Sequence, residues 1–126
     1  MDKLKHVNYV KKSDEFARAM ESSLERGDWD AAVSNAVHAG IAMADALNVF
    51  YLGQRSADQD HARARELLVQ LPFDPAERDK NARHLDALLQ AKGTAEYEDR
   101  LLTESVAKSS VERAARFRRW GRSKLP

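Results

Sequence analysis

Residues 29–52 constrain the fold more than any other stretch of the chain. Read as a helix, they place apolar side chains around almost the whole circumference. A helix of this kind is normally surrounded by other helices, because an exposed apolar face would be unstable in water. Many of its residues are Ala or Gly, and such small side chains let neighbouring helices approach closely. We therefore expect residues 29–52 to form the central helix of an all-α protein.

Glycines on both sides of this stretch mark the ends of two helices. The first helix is predicted over residues 7–26, and Gly27 should end it because Gly adopts positive φ freely. Asp28 follows at once and is predicted to cap the central helix. A turn this short makes the two helices antiparallel neighbours. Gly53 is predicted to end the central helix.

Three further helices are predicted in the second half of the chain. Ser56 and Gln59 have the spacing of a capping box, and Asp74 followed by Pro75 is a strong helix start. No segment alternates between apolar and polar residues as a half-buried strand would. The predicted ranges are 56–71, 75–92 and 103–120, with residues 94–102 either a turn or an early start of the last helix. The fold class is thus all-α, a single-domain antiparallel bundle of about five helices over residues 1–126.

The composition limits the classes of site and of compartment. The chain has no Cys, which excludes disulfides and thiolate metal sites. Residues 58–61 contain two Asp and a His, but adjacent residues on a helix point in different directions and no second ligand cluster is evident, so we predict no metal and no cofactor. Asp45 interrupts the best candidate for a membrane span, and the N-terminus lacks the apolar run of a signal peptide. We expect a soluble cytoplasmic protein with no membrane partner.

Positive charge is concentrated at the end of the chain. Residues 108–126 carry seven basic side chains against one Glu, a local net charge of +6, so the other residues sum to −5 in a chain of net charge +1. In this basic segment, which covers the last helix and its tail, Arg residues alternate with aromatic residues. Such a pattern is suited to binding phosphates. A solvated helix face is the alternative, and Trp120 would either stack on a base or anchor in the core. The candidate nucleic-acid-binding residues are Arg113, Arg116, Arg118, Arg119, Arg122 and Lys124.

Several phrases of the sequence resemble the HEPN family, a group of small helical bundles from bacteria and archaea. They are LERGDWDAAV at the end of the first helix, NAVHAGIAMADAL, LGQRSADQDHARARELL, and KGTAEYEDR followed by VERAARFRRW. The likeness spans nearly the whole chain and lies mostly in pattern and spacing. It implies a helical bundle, and many family members are ribonucleases, often toxins paired with a nucleotidyltransferase-type antitoxin. It also matches Tyr97 to the family's late tyrosine, for which we expect a structural hydroxyl.

The hallmark of the ribonuclease members is an Arg and a His separated by four to six residues. Here Arg55 and His61 have five residues between them. The resemblance therefore implies metal-independent RNA cleavage in a composite site at a homodimer interface. In the best-known ribonuclease members the motif lies on a closing helix, whereas here it lies at the corner between the second and third helices.

The residue types at this corner suit the chemistry. His61 would take the proton from a ribose 2′-hydroxyl, since its pKa lies near neutrality. Arg55 would stabilise the charge that builds on the phosphate. Asp45 is a candidate third member of the site. In the alternative interpretation, Arg55 pairs with Asp58 or Asp60, and Asp45 makes a structural hydrogen bond or lies at a dimer interface.

Two functional hypotheses follow from these residues. The first is a HEPN-like homodimer that binds or cleaves RNA, with Arg55 and His61 as the active pair of a metal-independent endoribonuclease. The second is a non-catalytic helical module that binds nucleic acid or protein, with the same two residues as a structural corner. A DNA-binding regulator is a weaker third, because no helix-turn-helix is apparent. We assign no constellation to His6 or His84.

Overall fold

The computed structural model describes residues 2–56, 61–97 and 101–126, and leaves the side chains of residues 61 and 95–97 outside its description. Within these ranges the chain forms a short 3-10 helix and five α-helices, with no strand. The 3-10 helix is Lys3–Lys5, and the α-helices are α1 (His6–Arg26), α2 (Trp29–Leu52), α3 (His61–Leu68), α4 (Pro75–Tyr97) and α5 (Glu104–Ser123). This confirms the predicted all-α class.

The central position of α2 is confirmed by its burial. Every residue from Ala39 to Val49 is buried, and α2 contacts each of the other four α-helices. Its predicted bounds, residues 29–52, are the bounds that the structure has. Since burial is nearly complete around this part of the helix, the other four helices are arranged around α2.

The turn between α1 and α2 has the expected glycine and the expected N-cap residue, but the side chain of that residue forms no capping hydrogen bond. Gly27 has φ of 77°, in the left-handed region, and its N–H donates to the carbonyl of Leu24. The Asp28 side chain makes no capping hydrogen bond and instead accepts from Nε of Arg26 at 3.0 Å. Asp28 is thus the N-cap residue of α2, as predicted, but its side chain does not make the capping hydrogen bond. Its backbone, at φ −86° and ψ 78°, lies outside the extended conformation that directs a capping side chain onto the helix.

Two glycines bring neighbouring helices close to α2. A Cβ on Gly40 of α2 would lie 2.8 Å from Cδ1 of Leu88 in α4. A Cβ on Gly121 of α5 would lie 2.6 Å from Cγ of Met43 in α2. Both distances are shorter than a carbon–carbon contact, so α4 and α5 rest on α2 at positions where only glycine leaves enough space.

Three helix ends differ from the sequence-based expectation. The helix α4 continues past Gly93 to Tyr97, and a Cβ at Gly93 would meet nothing within 4 Å. The helix α3 ends at Leu68 rather than residue 71, because the next amides bond to Leu67 and Leu68 in tighter turns. The helix α5 runs to Ser123, three residues beyond the predicted end. The predicted capping box of α3 includes residues 57–60, which lie outside the described ranges.

The cap predicted for α4 is confirmed, and α5 has a cap that was not predicted. The Asp74 carboxylate accepts from the N–H of Glu77 at 3.1 Å, and the Thr103 hydroxyl accepts from the N–H of Val106 at 3.3 Å. These caps set where α4 and α5 begin. Among the helices described, none is both long and apolar enough to cross a membrane.

Candidate nucleic-acid interface and polar corner

The corner between α2 and α3 is held by two polar side chains of α2. Asp45 is 6% exposed, and its Oδ1 accepts from both the N–H and the hydroxyl of Ser56, at 3.1 and 2.9 Å. Nδ2 of Asn48 donates to the carbonyl of Ala64 at 3.2 Å. The first pair fixes the chain as it leaves α2, and the second fixes α3 against it. A structural hydrogen bond, one of the two alternatives for Asp45, is therefore present.

Arg55 is exposed at this corner and lies near α1. Its Nη1 donates to the carbonyl of Ser56 at 3.1 Å, and its guanidinium carbon lies 5.9 Å from the ring centre of Tyr9. That distance is within the range of a cation–π interaction. His61 begins α3, but its side chain and residues 57–60 lie outside the described residues. The Arg55–His61 pair thus stays a prediction, as does the structural role of Tyr97, whose side chain is also outside the description.

The structure divides the six candidate nucleic-acid-binding residues into two groups. Three of them pair with acidic residues of other helices. Arg118 and Arg122 reach Asp14 of α1 at 2.5 and 3.4 Å, and Lys124 reaches Glu77 of α4 at 2.7 Å. Each of the three has an acidic partner on another helix, with Arg118 and Arg122 sharing Asp14, so they serve first to hold α5 in place.

The other three, Arg113, Arg116 and Arg119, line a groove between α4 and α5 of about 510 Å³, which we call the basic groove. Arg116 forms an ion pair with Glu112 at 2.5 Å on the exposed surface of α5. The remaining cations of the groove form no ion pair with any residue in the described part of the chain. The residues lining the groove are Lys80, Asn81, Arg83, His84, Arg113, Arg116, Arg119 and Trp120.

His84 lies in the basic groove, although the sequence analysis assigned it to no constellation. Its Nδ1 is buried and has no hydrogen-bond partner among the described residues. Burial lowers the pKa of His84 below its usual value, and the charges of Arg113, Arg116 and Lys80 lower it further, against a smaller opposing effect of Glu112. The imidazole is therefore neutral at pH 7 in a strongly positive environment.

The spacing of basic residues in the sequence indicates the α4 side of the groove. Lys80, Arg83 and His84 stand at positions i, i+3 and i+4 of α4, so they share one helix face. The concentration of charge at the end of the chain points only to the α5 side of the groove, so it does not reveal this face of α4.

Glu77 joins the start of α4 to the end of α5 beside the groove. Its Oε1 accepts from Nε1 of Trp120 at 2.8 Å and pairs with Nζ of Lys124 at 2.7 Å. The hydrogen bond from Lys124, and then that from Trp120, lower the pKa of Glu77. Trp120 is 9% exposed and packs on Phe117 and Phe73, so it anchors in the core while one edge lines the groove.

The described residues contain no cluster of metal ligands. In the ranges 2–56, 62–94 and 101–126, where side chains are described, no three His, Asp or Glu residues are grouped so that they could hold a metal ion. What the described geometry offers is a corner with an exposed Arg and a concave surface with five cations.

The helical bundle and the comparison with known families agree. The family model of the HEPN domain matches residues 7–124, nearly the whole chain, and the chain therefore belongs to the HEPN family. No curated protein and no solved structure gives a significant match. Membership in this all-helical family confirms the fold and indicates a function related to RNA or nucleotides.

Proposed function

We propose that this HEPN protein binds RNA and that the basic groove is its main RNA contact. The observation that carries the proposal is the arrangement of the groove's cations, four of which form no ion pair within the described residues. Cations that served only the fold would be expected to face acidic partners, as Arg118 and Arg122 do. Lys and Arg side chains left in a concave surface bind phosphates and displace their counterions.

We further propose that the bound RNA is cleaved at the corner between α2 and α3. His61 would take the proton of a ribose 2′-hydroxyl, whose oxygen attacks the adjacent phosphorus while the 5′-oxygen of the next nucleotide leaves. Arg55 would stabilise the negative charge on the phosphate oxygens in the transition state. Asp45 would act through Ser56, whose backbone it fixes next to Arg55. The exposure of Arg55, next to a Ser56 held by two hydrogen bonds, supports this role.

The cleavage proposal is tested with purified protein and single-stranded RNA in EDTA. Wild type should leave 2′,3′-cyclic phosphate ends, and both Arg55→Ala and His61→Ala should lose at least about 100-fold in rate, the low end of the effect of general acid–base catalysis. Arg18→Ala, an exposed Arg on α1, is the control with the same loss of charge. Intact RNA with wild type, or equal cleavage by the His61 variant, would end the cleavage proposal.

The active form that we propose is a homodimer with a composite site. Light scattering coupled to size-exclusion chromatography should give twice the 14.2 kDa mass of the chain. A monomer at concentrations where RNA is cut would contradict the composite site. The proposed natural partner is a nucleotidyltransferase-type antitoxin. Expression of the wild type alone should then arrest bacterial growth, and co-expression of that partner should restore it.

One observation favours the alternative of a binding module without catalysis. The Asp45 carboxylate and Ser56 hold the corner by two hydrogen bonds, which is a sufficient structural reason for the polar residues there. In that case RNA would bind the basic groove and remain intact. The EDTA experiment and a binding measurement on the same RNA separate the two functions.

A further inference from the structure

The cations of the basic groove are concentrated over a short length. On α4 they are residues 80 and 83, about 4.5 Å apart along the helix, and on α5 they span residues 113–119. With His84 included, the α4 side covers residues 80–84. At a rise of 1.5 Å per residue these spans are about 6 and 9 Å long. Four cations without an ion pair among the described residues, with Arg116 beside them, exceed what one or two phosphodiesters, each with a single negative charge, would neutralise. A phosphomonoester offers about −1.5 to −2 charges and three acceptor oxygens at one point, which suits a compact cluster better.

His84 gives the same groove a neutral donor. A neutral imidazole carries a proton on only one ring nitrogen. The shielded Nδ1 has no partner in the described part of the chain, and buried N–H groups without acceptors are rarer than buried acceptors without donors. The favoured tautomer therefore protonates Nε2, the ring nitrogen that remains for a ligand. A neutral N–H donor beside Arg and Lys binds a phosphate oxygen without adding to the repulsion among the cations.

We propose that the basic groove binds the terminal phosphate of a 5′-phosphorylated nucleotide, with its cations as ligands and His84 as a neutral hydrogen-bond donor. The nucleotide is the 5′ end of an RNA chain or a free mononucleotide. In its RNA form this inference rests on the proposed function. The volume of about 510 Å³ lies within the range of about 300–1,000 Å³ that pockets for small ligands occupy. The edge of Trp120 gives the groove an apolar contact beside the cations.

The test compares three probes at pH 7.5 and fixed salt. They are a 3′-labelled single-stranded RNA with a 5′-monophosphate, the same RNA with a 5′-hydroxyl, and free adenosine 5′-monophosphate. The His61→Ala background prevents cleavage during the measurement. Anisotropy should give a Kd about tenfold lower for the 5′-phosphorylated RNA, as expected of one charge-assisted hydrogen-bonded group. Calorimetry measures the free nucleotide.

Variants at the groove separate a terminal-phosphate site from general attraction to RNA. Arg83→Ala should reduce the tenfold preference to about twofold or less, whereas Arg18→Ala, outside the groove, should keep it. His84→Leu removes the donor at similar size and should also lower the preference. His84→Gln places an amide N–H near the position of Nε2 and should retain most of it. Circular dichroism and thermal melting show that each variant is folded.

The outcomes distinguish this inference from the proposed function. Equal affinity of wild type for the two RNAs, without binding of the mononucleotide, overturns the terminal-phosphate site while leaving RNA binding intact. A preference that Arg83→Ala and His84→Leu both retain also overturns it. If wild type binds the mononucleotide but neither RNA, and both variants lose that binding, the phosphate site is supported with a free nucleotide as its ligand. The proposal that the protein binds RNA is then overturned. If none of the three probes binds, both proposals fail.

Discussion

Asp45 brings a carboxylate into the most apolar helix of the chain, and its two hydrogen bonds explain how the fold accommodates it. Burial of an ionisable group is costly unless hydrogen bonds replace its water. Ser56 supplies two donors to one carboxylate oxygen, from its backbone and from its hydroxyl. Asp45 therefore sets the path of the chain immediately after Arg55.

Replacement of Asp45 tests whether this role is structural. Asp45→Ala leaves both Ser56 donors buried without that acceptor and should lower the free energy of unfolding by about 2–4 kcal/mol. Asp45→Asn keeps one acceptor oxygen and should cost less. Urea denaturation of the two variants, with Ser56→Ala and the double variant Asp45→Ala/Ser56→Ala, measures the coupling between the two residues. If the two single effects simply add, the pair does not hold the corner.

His84 should make stability depend on pH in a defined window. Because its pKa is lowered in the folded state, the unfolded chain binds more protons as pH falls through the ordinary His value of about 6.5. Stability is therefore unaffected by His84 above that pH and decreases below it, down to the folded pKa. Urea midpoints from pH 7.5 to 5 should fall less steeply for His84→Gln than for wild type. Parallel curves would show that His84 does not contribute.

Single residues show where sequence reasoning reaches its limit. The need for a partner at Asp45 follows from its apolar helix, but Ser56 lies eleven residues away, across a corner whose path no local pattern specifies. His84 shares a helix face with Lys80 and Arg83, which spacing reveals. The low pKa of His84 depends first on burial and then on Arg113 and Arg116, which belong to another helix, so it could not be read from the sequence.

Glu77 links the helices α4 and α5. It holds Trp120 and Lys124, the last turn of α5 and the residue after it. Glu77→Ala removes both contacts and should increase amide hydrogen exchange over residues 121–124, while exchange at the start of α5 stays unchanged. Glu112→Ala removes an acid from α5 without touching this link and serves as the control. Equal exchange in the Glu77 variant and wild type would contradict the link.

Substitution by Ala should change the stability of the protein in opposite directions at two helical glycines, Gly121 and Gly93. Gly121→Ala places a Cβ 2.6 Å from Met43 and should destabilise by about 1–3 kcal/mol through overpacking, partly offset by the helix propensity of Ala. Gly93→Ala meets open space in α4 and should stabilise by up to about 1 kcal/mol. Thermal or urea denaturation of both variants decides. A stabilising Gly121→Ala would show that α5 can move away from α2 at little cost.

Helix ends were predictable where a glycine or a capping residue in the sequence marked them. The bounds of α2 follow from Gly27, Gly53 and the apolar run between them, and Asp74 marks the start of α4. The prediction that α4 ends before Gly93 is wrong. A glycine commonly ends a helix by adopting positive φ, and Gly93 does not adopt it. The end of α3 depends on tight turns after Leu68 that the sequence pattern does not distinguish from continued helix.

Charge is the property of the whole molecule that bears on RNA binding. The net charge is only +1, yet the helices sort the basic residues into an ion-paired set and a groove-lining set. The sequence predicted the concentration of charge after residue 107. It could not predict this sorting, because the acidic partner Asp14 comes from α1, about a hundred residues earlier.

Substitutions at Arg119 and Arg122 test whether the groove-lining residues bind RNA and the ion-paired residues do not. Arg119→Ala removes a cation of the groove and should lower the slope of log Kd against log salt for single-stranded RNA by about 0.7, the value for one lost phosphate contact. Arg122 pairs with Asp14, so Arg122→Ala should change the slope less. Anisotropy titrations from low to moderate salt give both slopes. Equal changes in the two variants would mean that RNA binds α5 on both sides.

The two walls of the basic groove, α4 and α5, both rest on α2 through glycine contacts. Their separation at the surface is therefore set by the volume of buried side chains such as Met43 and Leu88, which no ligand in the groove would need to touch. A small change of volume in the core would alter the width of the groove while leaving every cation in place. Selection for a different ligand could thus act on the interior of the bundle, and homologues with identical groove residues could differ in what they bind.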